Sequence, residues 1–119
     1  MTLLQKSIKH WEDNLEKLKA GAISAHAVYG DQCQLCEVYL DPDETCVGCP
    51  VAEDTGKPMC EGSPWWQAHG AFGDWLYERE FPCPDGGAKE QSFKDKAIAA
   101  FQAEIDYLKQ LANKETSDA

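Results

Sequence analysis

Five cysteines crowd residues 33–60, and four of them form two paired units, Cys33-Gln34-Leu35-Cys36 and Cys46-Val47-Gly48-Cys49, nine residues apart. A C-x2-C turn sets two thiolates on one side of an ion. A second such turn closes a tetrahedron, with sulfur–zinc distances of about 2.3 Å. The spacing points to a metal centre with Cys33, Cys36, Cys46 and Cys49 as ligands and Zn2+ as the metal. An iron–sulfur cluster is the alternative cofactor, because four thiolates serve iron as well and spacing does not separate the two. Cys60 follows eleven residues after Cys49 and competes for the shell as a replacement for Cys46 or Cys49. The sixth, Cys83, lies between Pro82 and Pro84 and reads as a free or packed thiol.

An all-thiolate shell is closed, whereas a catalytic zinc keeps an open position beside a base. The metal is therefore expected to be structural, with no catalytic residues and no enzyme activity. His10-Trp11-Glu12 followed by Cys33-x2-Cys36 parallels the H-x-E and P-C-x-x-C signature of nucleic-acid deaminases. Gln32 stands where that signature needs proline, and Trp11 falls on an apolar helical stripe, so the parallel is set aside. His10 is expected in solvent, and His69 as a partly buried, hydrogen-bonded side chain. His26 has no assigned role.

The residues after each pair carry a second signal. Zinc knuckles often place glycine there, but here the positions hold Glu37 and Pro50. Proline has no N–H to offer a sulfur, yet it suits the first turn of a helix. Cys49 is thus expected at a helix N-cap with Pro50-Val51-Ala52-Glu53 as the first turn, and Glu37–Leu40 could follow Cys36 in the same way. A helix N-terminus favours a thiolate.

The surrounding elements must hold this segment. Over 3–19, Leu4, Ile8, Trp11, Leu15 and Leu18 recur at helical steps, and Gly21 is a stop. Ser63-Pro64 reads as an N-cap with proline at the first helical position, opening a helix over 64–80 with the stripe Trp65, Ala68, Phe72, Trp75, Leu76. Gly70 and Gly73 weaken that helix by roughly 1 kcal/mol each and are read as points of close helix packing. Pro82, Pro84 and Gly86-Gly87 break the chain. Phe93, Ala97, Phe101, Ile105, Leu108 and Leu111 mark a helix over 88–113, with Glu115 to Ala119 frayed. No segment alternates with period two. The expected fold is mainly α: a three-helix arrangement (about 3–19, 64–80, 88–113) with a metal-stabilised cysteine-rich insert at 33–62, in a single domain over 1–119.

Eleven bases against 21 acids give a net charge of −10 in 119 residues. That excludes a surface built to neutralise nucleic-acid phosphates and argues against anionic membranes. No apolar run approaches the roughly 20 residues of a membrane span. The opening residues lack a charged start followed by an apolar block, so no signal peptide is expected. A reducing cytoplasm is the expected compartment, and disulfides are disfavoured there. Residues 31–61 alone carry eight acids and one lysine, so the acidic excess coincides with the cysteines. Trp66 and Tyr77 fall off the apolar stripe and are expected at the surface, where such residues anchor protein contacts. The expected partner-binding set is Asp41, Asp43, Glu44, Glu53, Asp54, Trp66 and Tyr77, facing a basic surface on another protein.

The run Cys33-x-Leu35-Cys36, Cys46-x-Gly48-Cys49-Pro50-Val51, Thr55-Gly56, Cys60-x-Gly62-Ser63-Pro64 resembles a family of small uncharacterised proteins encoded mostly by tailed bacteriophages and prophages. The resemblance covers residues 33–66 and not the flanking helices. In that family the fifth cysteine belongs to the pattern, which strengthens Cys60 as a candidate ligand. The resemblance implies a viral origin and a bacterial host cytoplasm. With the charge, it leads to an expected function: a zinc-stabilised acidic interaction protein that binds and inhibits a host nucleic-acid-binding or defence protein, such as a CRISPR effector or another nuclease. A small iron–sulfur or redox protein and a structural assembly module are the alternatives. The sequence leaves the oligomeric state open.

Overall fold

Helices dominate the computed structural model, which describes residues 2–23, 49–56 and 62–117. They are α1 (Leu3–Ala20), α2 (Pro50–Thr55), α3 (Trp65–Glu80) and α4 (Ala88–Ser117), with no strand among the described residues. None of these helices is long and apolar enough to cross a membrane. The three expected helices are present as α1, α3 and α4.

Local chemistry sets each boundary. Thr2 Oγ1 accepts from Gln5 N at 3.1 Å while Gln5 Oε1 accepts from Thr2 N at 2.9 Å, a reciprocal cap that starts α1. Gly21, at φ 74°, ends it, donating to Leu18 O as Ala22 N donates to Lys17 O. Ser63 Oγ accepts from Trp65 N at 3.3 Å, and Pro64 already has helical dihedrals, so the expected Ser63-Pro64 start of α3 is present. Asp85 starts α4 by accepting from Gly87 N and Lys89 N, both at 3.0 Å.

The core is organised on α4. Phe101 meets the edge of Trp11 from α1 at 5.1 Å and Phe72 from α3 at 5.7 Å. Around it the stripes Leu4–Leu18, Ala68–Trp75 and Ala97–Leu111 are buried, and Phe93 and Trp65 pack at the margin. Burying a Leu, Ile or Phe side chain is worth about 1.5–3 kcal/mol, so these stripes are the main source of stability. Both neighbours run antiparallel to α4. Lys94 Nζ donates to Lys19 O at 3.1 Å near the end of α1, while Lys109, further along α4, pairs with Glu12 in the middle of α1 at 3.5 Å. Trp75 Nε1 donates to Glu90 Oε1 at 3.1 Å beside the α3–α4 connection.

Two expectations change. The C-terminal helix continues to Ser117, past the expected end at 113 and into the stretch from Glu115 expected to fray. Near that end, Lys114 is held by Asp54 at 3.2 Å, which ties the last turns of α4 to α2. Among the described residues no helix packs on Gly70 or Gly73: a Cβ built at either meets nothing within 4 Å. Their spacing puts them opposite Ala68, Phe72 and Trp75, on the side of α3 turned away from α4.

Candidate interaction surface and cysteine sites

Of the expected ligands, Cys49 lies within the described residues. Cys33, Cys36, Cys46 and Cys60 lie outside them, as do Asp41, Asp43 and Glu44. Cys49 precedes Pro50 and its carbonyl accepts from Glu53 N at 3.0 Å, so it is the N-cap residue that the Cys49-Pro50 pair leads one to expect. Its side chain is buried, 5% exposed, and enters the core together with Val51. Among the described residues no three His, Cys, Asp or Glu side chains converge.

Glu53 is exposed, as a partner contact requires. Asp54 is engaged within the chain. Its Oδ2 accepts from Tyr107 Oη at 2.7 Å and its Oδ1 from Lys114 Nζ at 3.2 Å. The Tyr107 hydroxyl first, then the Lys114 ammonium, hold its carboxyl below the usual value of 3.8. These bonds span 53 and 60 positions of sequence, so no local pattern announces them.

The outer face of α3 carries the clearest surface feature. Trp66, Tyr77 and Phe81 are 45%, 65% and 62% exposed. Trp66, Gly70, Gly73 and Tyr77 fall on one line of the helix opposite the buried stripe, and Phe81 follows one turn after Tyr77. The Tyr77 and Phe81 rings lie 5.2 Å apart. At the other end, His69 stacks on Trp65 at 5.0 Å and Trp65 meets Trp66 edge-on at 4.8 Å. Trp66 and Tyr77 are thus where their register predicts. Phe81 was missed, although its position four after Tyr77 and just before Pro82 was a usable signal. The charged residues flanking this line are Asp74 and Glu80, both exposed. Arg79, the one base of α3, sits on the other side with its guanidinium 4.6 Å over the Trp75 ring.

A third cluster closes the α3–α4 connection. Cys83 Sγ lies 3.6 Å from Glu78 Oε1 and 3.9 Å from Lys89 Nζ, and Lys89 Nζ lies 3.4 Å from Glu78 Oε1. Cys83 first, then Glu78, raise the Lys89 ammonium above its usual 10.5. Glu78 is buried, and its Oε2 has no hydrogen-bond partner among the described residues. Cys83 is a half-buried thiol here, in line with its expected packed role. The carboxylate and ammonium offset each other beside the sulfur and join the end of α3 to the start of α4.

Two histidine expectations can also be placed. His69 is half-buried against Trp65, as expected. His10 is half-buried, and not in open solvent, with Nε2 3.1 Å from Asn14 Nδ2; one turn along α1 brings that amide to it. Comparison of the chain with protein-family models, curated proteins and solved structures gives no match.

Proposed function

We propose that this chain is an acidic protein-interaction module with zinc closing its 33–62 segment. It binds a basic surface on another protein. The observation that supports this most is the outward line of α3, where Tyr77 and Phe81 stand in solvent between acidic neighbours on a chain of net charge −10. Large aromatics are enriched at the centres of protein interfaces, where they supply contact area at low entropic cost. The acidic excess of 31–61 adds steering toward a basic partner. Cys49 at its N-cap fits the ligand set Cys33, Cys36, Cys46 and Cys49, with Cys60 as the replacement. Given the resemblance of residues 33–66 to phage proteins, the partner in this reading is a host nucleic-acid-binding protein, inhibited by occupation of its basic surface.

The test is capture from bacterial host cells by the wild-type chain and by a variant with Asp41, Asp43, Glu44 and Glu53 each changed to Lys. Asp54 is left intact because Tyr107 and Lys114 use it within the fold. The expected result is one or more basic proteins captured by the wild type and lost from the variant, at equal helicity. Equal capture by both would remove the acidic-surface reading.

A further inference from the structure

Glycine inside an exposed helix costs stability relative to alanine. At Gly70 and Gly73 nothing in the described fold uses the space that this opens. The two positions form the floor of a line whose far end is the Tyr77–Phe81 ring pair and whose near end is Trp66. Both charged side chains bordering that line, Asp74 and Glu80, are acidic. From Trp66 to Phe81 the line is roughly 22 Å long at 1.5 Å rise per residue.

We infer that the outer face of α3 is a docking site for a basic amphipathic helix of the partner. This rests on the interaction reading above and names the partner's shape and chemistry. The partner helix lays a stripe of small and aliphatic residues over Gly70 and Gly73, where two backbones approach closely because no Cβ intervenes. Tyr77 and Phe81 close over one end of that stripe. Lys or Arg on its two flanks meet Asp74 and Glu80. The charge of the rim decides between occupants. A second copy of this chain would bring the same acidic face against itself, and like charges in apposition oppose that pairing.

The test uses the full chain and a synthetic peptide of about 18 residues, enough to cover the face. The peptide carries Ala and Leu at helical spacing and Lys on both flanks. A control peptide has Glu in place of each Lys. Binding is read by calorimetry, and the contact surface by amide chemical-shift changes. The wild-type chain is expected to bind the Lys peptide, more weakly as salt rises, and not the Glu peptide. Tyr77→Ala with Phe81→Ala should weaken binding at least about tenfold. Gly73→Leu should do the same through a side chain placed in the groove. Gly70→Ala with Gly73→Ala supplies a control that cannot be ascribed to unfolding, because it should weaken binding while raising the melting temperature.

Four outcomes overturn the inference. Undiminished binding by the α3 variants, with loss on reversing Asp41, Asp43, Glu44 and Glu53, would remove the α3 site and leave the interaction reading standing. No binding of the Lys peptide by the wild type, alongside failed capture from cells, would remove both. Concentration-dependent dimers abolished by Gly73→Leu would assign the face to a second copy. Chemical-shift changes on α3 in the free chain on mutating residues 24–48 would assign it to that segment of the same chain.

Discussion

At the scale of single residues, Asp54 shows how a charged side chain acquires a role that its neighbours in sequence do not reveal. Its acidic surroundings suggest a partner contact, yet its oxygens are taken by Tyr107 and Lys114. Tyr107→Phe should cost about 0.5–1.5 kcal/mol of stability, the net worth of one hydrogen bond, with the loss localised to residues 50–55 in hydrogen exchange. The pH dependence has a definite sign. The folded-state pKa of Asp54 lies below its unfolded value, so its stabilisation is present above the unfolded pKa near 3.8 and is lost as pH falls through the folded one. Acidification should therefore release α2 from α4 in the wild type. Asp54→Asn should lack that part of the acid transition. Phe101 touches Trp11 and Phe72 at once, so Phe101→Ala removes the contact shared by α1 and α3. The expected cost is about 3–5 kcal/mol, read as a fall in the denaturation midpoint, and a large part of the stability of an ordinary domain.

At the scale of elements, the glycines separate conformational strain from open space. Gly21 sits at φ 74°, where a Cβ is strained whatever room there is. Gly70 and Gly73 have helical backbones with room around them. Gly21→Ala should thus destabilise the chain by about 1 kcal/mol, while Gly70→Ala and Gly73→Ala should each stabilise it by roughly 0.5–1 kcal/mol. Thermal melts of the three variants give the signs directly. This contrast also marks what was readable in the residues. The stripes of α1, α3 and α4 were legible because burial repeats every 3.6 residues, and the caps at Gly21 and Ser63-Pro64 because their chemistry is local. The outward direction of Gly70 and Gly73 follows from the same periodicity once the buried line of α3 is taken as the reference. The Asp54 bonds, the Glu78–Cys83–Lys89 cluster and the continuation of α4 past 113 depend on which helices meet. Periodicity within one segment carries no information about that.

At the scale of the whole molecule, the chain combines a helical trunk of α1, α3 and α4 with an acidic cysteine-rich segment that α2 joins to it. The core around Phe101 is built mainly by α1, α3 and α4, and Cys49 and Val51 of the cysteine-rich segment enter it. The segment over 33–62 has few apolar residues, and the proposed zinc would supply the cross-link that its composition leads one to expect. Under the proposed zinc site, metal binding free energy would act as folding free energy for the part of that segment outside the core contacts of Cys49 and Val51. Cys36→Ser should lose most of the metal and loosen 33–62 in hydrogen exchange, while far-ultraviolet helicity from the trunk persists. The most direct test of this division is the metal-to-protein ratio of tag-free chain purified without oxygen. About one zinc per chain is expected in a colourless protein, lost in Cys36→Ser. Iron with bound sulfide and visible absorbance, or a chain without metal, would contradict it.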